Sequence, residues 1–348
     1  MKILARLAAV TVALLTLCMG SMASAQSNGL GITPRKDYTI KAGGQVADKL
    51  FINNLSQKDD LHLQIRVVDF RAQDETGTPA LELAANAQQT PWSLKPFMKI
   101  ANTLTIPAGK SVYLPFTVSI PANQGAGSYY SAIEYVAQNS QAQQRVNIAA
   151  SSASLVFVTV PGKANEQLVF KQFGTFVPSS DDETGSFKSF FVGSPPKTLA
   201  YRLQNNGNVA ENPQGSILIK NIFGKTVKTI AKANPKNELA LLGQTRRFEV
   251  CMKDGQTITK ASNGQSSTQT VCKDPGLLPG RYTAQLAVFY GLNGSNTQEV
   301  TATSSFLYLP WWSFAVLVLL IVIVAAAVRL IMRKTGRGKK PAASSARR

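Results

Sequence analysis

The sequence predicts an all-β protein of two tandem immunoglobulin-like β-sandwich domains, followed by one C-terminal transmembrane α-helix. Three observations point there. Short runs alternate apolar and polar residues with period two, which marks antiparallel strands buried on one face. Clusters of Gly, Asn and Pro punctuate those runs at the close, regular spacing of a sandwich. Near the C-terminus Phe314–Val328 carries no charge at all.

The elements follow in order. Residues 1–25 read as a signal peptide. Lys2 and Arg6 make a positive start, Leu7–Met19 an apolar stretch, and Ala23-Ser24-Ala25 a small-residue cleavage site. Cys18 is not in a lipoprotein setting, because Leu17 occupies the place where a small residue is wanted.

Residues 26–162 form the first sandwich. In Leu61–Phe70, Leu61, Leu63, Ile65 and Val67 share one face while His62, Gln64 and Arg66 share the other. Ser111–Ile120 alternates in the same way through Val112, Leu114, Phe116 and Val118. Further strand-like runs are Val46–Ile52, Tyr129–Ala137 and Leu155–Val160, and Ala80–Gln88 reads as a short helical insertion. A boundary falls near Pro161-Gly162-Lys163.

Residues 163–308 repeat the plan. Leu50-Phe51-Ile52-Asn53-Asn54 corresponds to Tyr201–Gly207, and Pro107-Ala108-Gly109-Lys110 to Leu242-Gly243-Gln244-Thr245. Gly127-Ser128-Tyr129 corresponds to Gly280-Arg281-Tyr282. A Tyr at such a strand entry either anchors a corner through its hydroxyl or offers its ring to a ligand, and the corner role is the commoner one.

Residues 309–332 are the transmembrane helix and 333–348 a basic tail. Crossing the hydrocarbon core takes about 20 residues, which Trp311–Met332 supplies if Arg329 extends its guanidinium to the headgroups. Trp311 and Trp312 mark one interface, and Arg329, Arg333 and Lys334 the other. Cationic flanks stay in the cytoplasm, so the sequence places the sandwiches outside a cell membrane on a single span.

The net charge of +18 is uneven. The signal peptide carries two cations and the segment from Arg329 onward eight. Residues 26–162 hold 11 basic and 9 acidic side chains, and residues 163–328 hold 16 and 10. A basic tail beside a span is topology and anionic-lipid contact before anything else. The lysines Lys220, Lys225, Lys228, Lys232 and Lys236 lack interleaved aromatics for base stacking, so nucleic acid is not an expected partner.

Cleavage removes Cys18 and leaves Cys251 and Cys272. Outside the cell two cysteines without redox or metal spacing form one disulfide most simply. A single histidine, His62, leaves no multi-His metal site and no ordinary His-based catalysis. No nucleophile elbow, zinc-protease, phosphate-loop or dinucleotide motif occurs. Asp181-Asp182-Glu183 lacks the alternating oxygen pattern of a calcium loop. No catalytic residue, metal or cofactor is expected.

The opening Ile32–Tyr38, the Gly43-Gly44 turn, Val46–Asn54 and Pro121-x5-Gly127-Ser128-Tyr129 resemble the first domain of the WxL-interacting proteins. Leu241–Phe248 and Pro279–Tyr282 resemble the later part of the second. That resemblance implies a Gram-positive surface protein of two sandwiches, a span and a basic tail. Its first domain would associate with peptidoglycan and its second with a partner ligand. The Cys251–Cys272 pair and the Ser/Thr-rich Gly255–Thr270 between them are additions to that pattern.

Two readings of function follow. One is a non-enzymatic, membrane-anchored surface protein binding wall polymer, another surface protein, or both. The other is a membrane-held assembly or secretion factor that presents a sandwich edge to exported subunits. Candidate binding surfaces are Asn123–Tyr130 with Tyr129 and Tyr130, the Ala84–Phe97 insertion with Trp92, and the disulfide loop. Trp92 stands between Pro91 and Pro96, either as a stacking platform or as a lid over the sandwich.

Overall fold

A computed structural model describes residues 29–84, 86–138, 151–179, 185–262, 265–291 and 297–336. The segment read from the sequence as a signal peptide, the Asp181-Asp182-Glu183 cluster and the tail from residue 337 lie outside these.

The first half holds eleven strands among its described residues. They are β1 (Leu30–Ile32), β2 (Arg35–Thr39), β3 (Gln45–Asn54), β4 (Leu61–Val68), β5 (Phe70–Ala72), β6 (Pro79–Leu81), β7 (Met98–Ile100), β8 (Thr103–Ile106), β9 (Ser111–Ser119), β10 (Gly127–Ala137) and β11 (Ser151–Val160). One sheet runs β1-β3-β9-β7 and the facing one β2-β11-β10-β4-β8, with β5-β6 a separate hairpin. The alternating residues of the sequence line the gap between them. Leu63, Ile65, Leu114, Phe116, Val118, Ile133 and Val158 are buried in one cluster.

The second half holds β12 (Leu168–Pro178), β13 (Gly185–Phe187), β14 (Phe190–Val192), β15 (Thr198–Asn205), β16 (Gln214–Asn221), β17 (Thr226–Ile230), β18 (Thr245–Cys251), β19 (Gln256–Ser262), β20 (Gln265–Val271), β21 (Gly280–Tyr290) and β22 (Gln298–Leu309). Its sheets are β13-β12-β15-β18 and β14-β22-β21-β16-β17. Leu199, Tyr201, Ile217, Phe248, Leu286 and Phe306 fill the space between.

The two sandwiches share a five-stranded order. In each, a short early strand runs parallel to the last one: β2 beside β11 and β14 beside β22. The repeat extends to side chains. Asn54 Nδ2 donates to the carbonyls of Asp59 and Ile106 at 2.9 and 3.1 Å, and Asn205 Nδ2 donates to those of Val209 and Ala240 at 2.6 and 2.8 Å. Each Asn also receives the backbone N–H two residues on through its Oδ1. Tyr129 and Tyr282 donate their hydroxyls to the carbonyls four residues back, at 2.9 and 2.7 Å. Both are corner anchors.

One expectation is corrected. Ala80–Gln88 contains no helix among its described residues. Pro79–Leu81 is a strand paired with Phe70–Ala72, and a turn closed by Ala87 N–H on Ala84 O follows it. Tertiary contact overrides local propensity here, because Leu81 packs against the buried cluster of Phe70 and Tyr130.

Cys251 and Cys272 are disulfide-bonded. The segment between them forms the β19–β20 hairpin where the sequence suggested a loop. β22 ends at Leu309 and α1 (Trp311–Gly336) begins after Pro310 alone. Trp311–Arg333 spans 23 residues at mean hydropathy 3.1, long and apolar enough to cross a membrane. Trp311, Trp312, Arg329, Arg333 and Lys334 all lie on this helix.

Candidate functional site

The sequence candidates Trp92, Tyr129 and Tyr130 lie close together, and packing already engages them. Tyr130 is 1 % exposed and sits 5.0 Å from the Phe70 ring and 5.4 Å from Phe157. Trp92 stacks on it at 5.9 Å, and the Tyr130 N–H donates to Trp92 O at 2.9 Å. Burial raises the Tyr130 pKa, and the Leu242 backbone hydrogen-bonds its hydroxyl.

Leu242 belongs to the other sandwich, so these aromatics form a junction. The outer face of β4, β10 and β11 contributes Val68, Tyr130, Ala132 and Phe157, and the second sandwich meets it with Ala210 and Leu241. Around that apolar centre, Ser128 N–H donates to Asn208 O at 2.8 Å and Ala210 N–H to Ser128 Oγ at 2.9 Å. The turn after β5 adds Glu75, whose carboxylate lies 2.8 Å from Arg202 and 3.7 Å from Arg247. Two glycines allow the close approach. A Cβ on Gly77 would stand 1.0 Å from the Arg246 guanidinium, and one on Gly127 2.7 Å from Asn208 O. Beside the junction Glu211 is 1 % exposed. Burial, reinforced by the nearby Glu166 carboxylate, pushes its pKa up to about 7 against a hydrogen bond from Gly291 N–H.

Open surface lies elsewhere on the first sandwich, in a groove of about 870 Å³ lined by Gln64–Asp69, Glu82–Ala84, Ala87–Gln89, Lys95, Met98–Ile100 and Asn102. Its origin is topological. The chain crosses from β7 in one sheet to β8 in the other through Ala101 and Asn102. β8 therefore covers β4 only from Leu61 to Gln64, with one further bond from Ile65 N–H to Asn102 O at 2.7 Å. Backbone groups alternate sides along an antiparallel strand. Val67 accordingly directs its N–H and C=O away from β10 and into the groove.

The far wall is the insertion, and Asp69 fixes it. Its buried carboxylate accepts from Thr90 N–H at 2.9 Å, Ser93 Oγ at 2.6 Å and Ser131 Oγ at 3.0 Å. Most of the groove's charges are committed: Arg66 pairs with Glu134 across β4 and β10, and Glu82 with Arg71 at 2.8 Å. Lys95 and Lys99 are exposed and make no ion pair among the described residues. The groove thus joins an open strand edge to two available cations. Its sequence signals were the insertion itself and the Pro-flanked Trp92. Val67 gave none, because its open edge depends on where a distant strand stops.

The remaining candidates are structural or lie outside the described residues. His62 is exposed on β4, with Nδ1 3.0 Å from Thr105 Oγ1 across the ladder. Among the described residues no group of three or more His, Cys, Asp or Glu gathers to hold a metal.

No protein-family model and no curated protein matches the chain. Solved structures do. The class 5 fimbrial chaperone CfaA is 11 % identical, over 79 % of this chain and 99 % of that one, with a TM-score of 0.36. A chaperone–tip adhesin complex of CFA/I fimbriae is 14 % identical, over 70 % and 98 %, with a TM-score of 0.34. The CsuC–CsuE chaperone–tip subunit complex of Acinetobacter baumannii Csu pili is 12 % identical, over 78 % and 97 %, with a TM-score of 0.32. The likeness is one of sandwich architecture and carries nothing about partner or activity.

Proposed function

We propose that this chain is a non-enzymatic, membrane-anchored binding protein that holds two joined sandwiches on the outer face of a cell membrane. In this reading it grips an extended, acidic segment of another exported or surface protein in the groove beside Val67. The N–H and C=O of Val67, which have no partner among the described residues, carry the proposal. An extended segment laid there closes a two-bond bridge with β4, the strand-addition mode by which sheet edges bind peptides. Lys95 and Lys99 supply attraction for acidic side chains, and such charges act chiefly on encounter rate and selectivity. The anchor is α1, whose apolar length and following cations fit a single span with the tail inside.

A second reading is favoured by the carboxamides of Gln64, Gln88, Gln89 and Asn102 in the same lining. These suit the hydroxyls and amides of peptidoglycan, the polymer implied by the resemblance to WxL-interacting proteins.

Full-length chain in detergent micelles, incubated with cell-surface protein extract and separately with purified sacculi, tests both. The protein-segment reading expects capture of a surface protein that falls roughly tenfold in Lys95→Glu/Lys99→Glu, as for loss of two charge-assisted contacts. Equal capture by wild type and variant would overturn it. Sacculus binding lost in Ala87→Trp, a substitution that fills the groove, would establish the second reading in its place.

A further inference from the structure

We infer that the second sandwich has a membrane-docking foot, which sets its helix-proximal end on an anionic lipid surface; this rests on the reading of α1 as a membrane anchor. Strand register identifies that end. β22 runs into α1, and Val192 of β14 pairs with Leu309, the last residue before Pro310. Tyr308 pairs with Gly280, so β21 starts there. Asn221 pairs with Tyr282, so the β16–β17 turn points the same way. β15 begins and β18 ends at this level too, through Thr198 and Cys251.

Three large apolar side chains are thrust into solvent at this end. Phe223 is 85 % exposed, Leu278 72 % and Ile222 65 %. Phe223 and Ile222 stand on the turn between β16 and β17, where Gly224 at φ 75° and the Asn221 carboxamide fix the reversal. Lys228 Nζ donates to Pro275 O at 3.2 Å and ties the Leu278 loop to β17. Asn221 lies two strand spacings, roughly 10 Å, from Phe306, and Phe306 lies three residues, again roughly 10 Å, from Leu309. The turn beyond Asn221 therefore projects toward the end of the sandwich at which α1 begins.

The charges around it fit lipid headgroups. Lys197, Lys225, Lys253, Lys273 and Arg281 are exposed at this end against Asp254 and Asp274. None of those five cations makes an ion pair among the described residues. Apolar anchors among unpaired cations, beside a span, match the interface of an anionic leaflet. Scattered exposed apolar residues need no explanation, but a cluster rimmed by one sign of charge does.

The test uses full-length chain in a Cys18→Ser background, reconstituted in phosphatidylcholine vesicles with or without roughly a third phosphatidylglycerol. A fluorophore is placed at Phe223→Cys or, as control, at Tyr113→Cys on the first sandwich. Nitroxide lipids labelled at headgroup depth should quench the Phe223 site about threefold more than the control in anionic vesicles, and less in neutral ones. Equal quenching at the two sites, in chain that resists alkaline extraction, overturns the foot and leaves the anchor standing. Shielding from aqueous iodide without lipid quenching also overturns it, in favour of a second copy or another cover. Chain extracted by alkali overturns the anchor and the foot together.

Discussion

Glu75 accepts the backbone N–H of Arg247 at 2.7 Å, so a turn of the first sandwich is paired directly to strand β18 of the second. Its carboxylate meets Arg202 as well. One residue thus engages the partner through backbone and side chain together. Glu75→Ala keeps the first bond and removes the second interaction. Arg247 retains Glu249 at 2.7 Å, so the expected loss is about 1–2 kcal/mol. It should show in calorimetry as unfolding that separates into two steps, because the weakened element is the joint.

The Gly77 turn isolates the steric part of the same joint. Gly77 and Gly224 both sit at φ 75°, but a Cβ on Gly224 meets nothing within 4 Å, whereas one on Gly77 meets Arg246. Gly224→Ala incurs the backbone strain alone, about 1 kcal/mol. Gly77→Ala should cost about 1–3 kcal/mol more, since Arg246 is itself held by Glu238 at 3.3 Å. Equal melting temperatures for the two variants would contradict the interface.

Asn54 and Asn205 should behave as twins. Each closes a corner with bonds to at least two carbonyls and to one N–H. Substituting Ala at either leaves buried backbone groups unpaired, at about 2–3 kcal/mol each. Denaturant unfolding should show similar losses for both. A cost at one site only would mean that the internal repeat is one of strand order alone.

Glu211 makes stability fall as pH rises. Its folded pKa of about 7 lies above the ordinary 4.5, so between those values the folded state holds a proton that the unfolded state has released. The destabilisation is absent below about pH 4.5, grows to about pH 7 and stays constant above. Glu211→Gln should therefore match wild type at about pH 4.5 and exceed it at about pH 8 by on the order of 3 kcal/mol. Parallel stability curves for the two chains would refute the buried, protonated carboxyl.

The local elements were legible because their causes are local. Period-two alternation placed Leu61–Val67 and Val112–Val118, and the uncharged run before Arg329 placed α1. The Gly-x-Tyr entries placed both corner tyrosines. Ala80–Gln88 carries helical composition, but its conformation is set by Leu81 against the junction and by Asp69 holding Thr90 and Ser93. The junction left a trace that periodicity alone does not resolve. Leu155–Val160 and Tyr129–Val136 are apolar on both faces, as strands covered twice must be. The cover itself, Leu241 and Ala210, lies fifty or more residues away. Val67's open edge was the least legible, being a property of β8's length.

That edge is where the functional account stands or falls. A photo-reactive amino acid placed at Ala87, on the groove wall, should cross-link full-length, membrane-held chain to an acidic extended segment of another exported protein. The same probe at Tyr113, which is 58 % exposed on the opposite sheet, should yield no such product. Cross-links of equal yield from both positions, or from neither, would contradict the groove as the binding site.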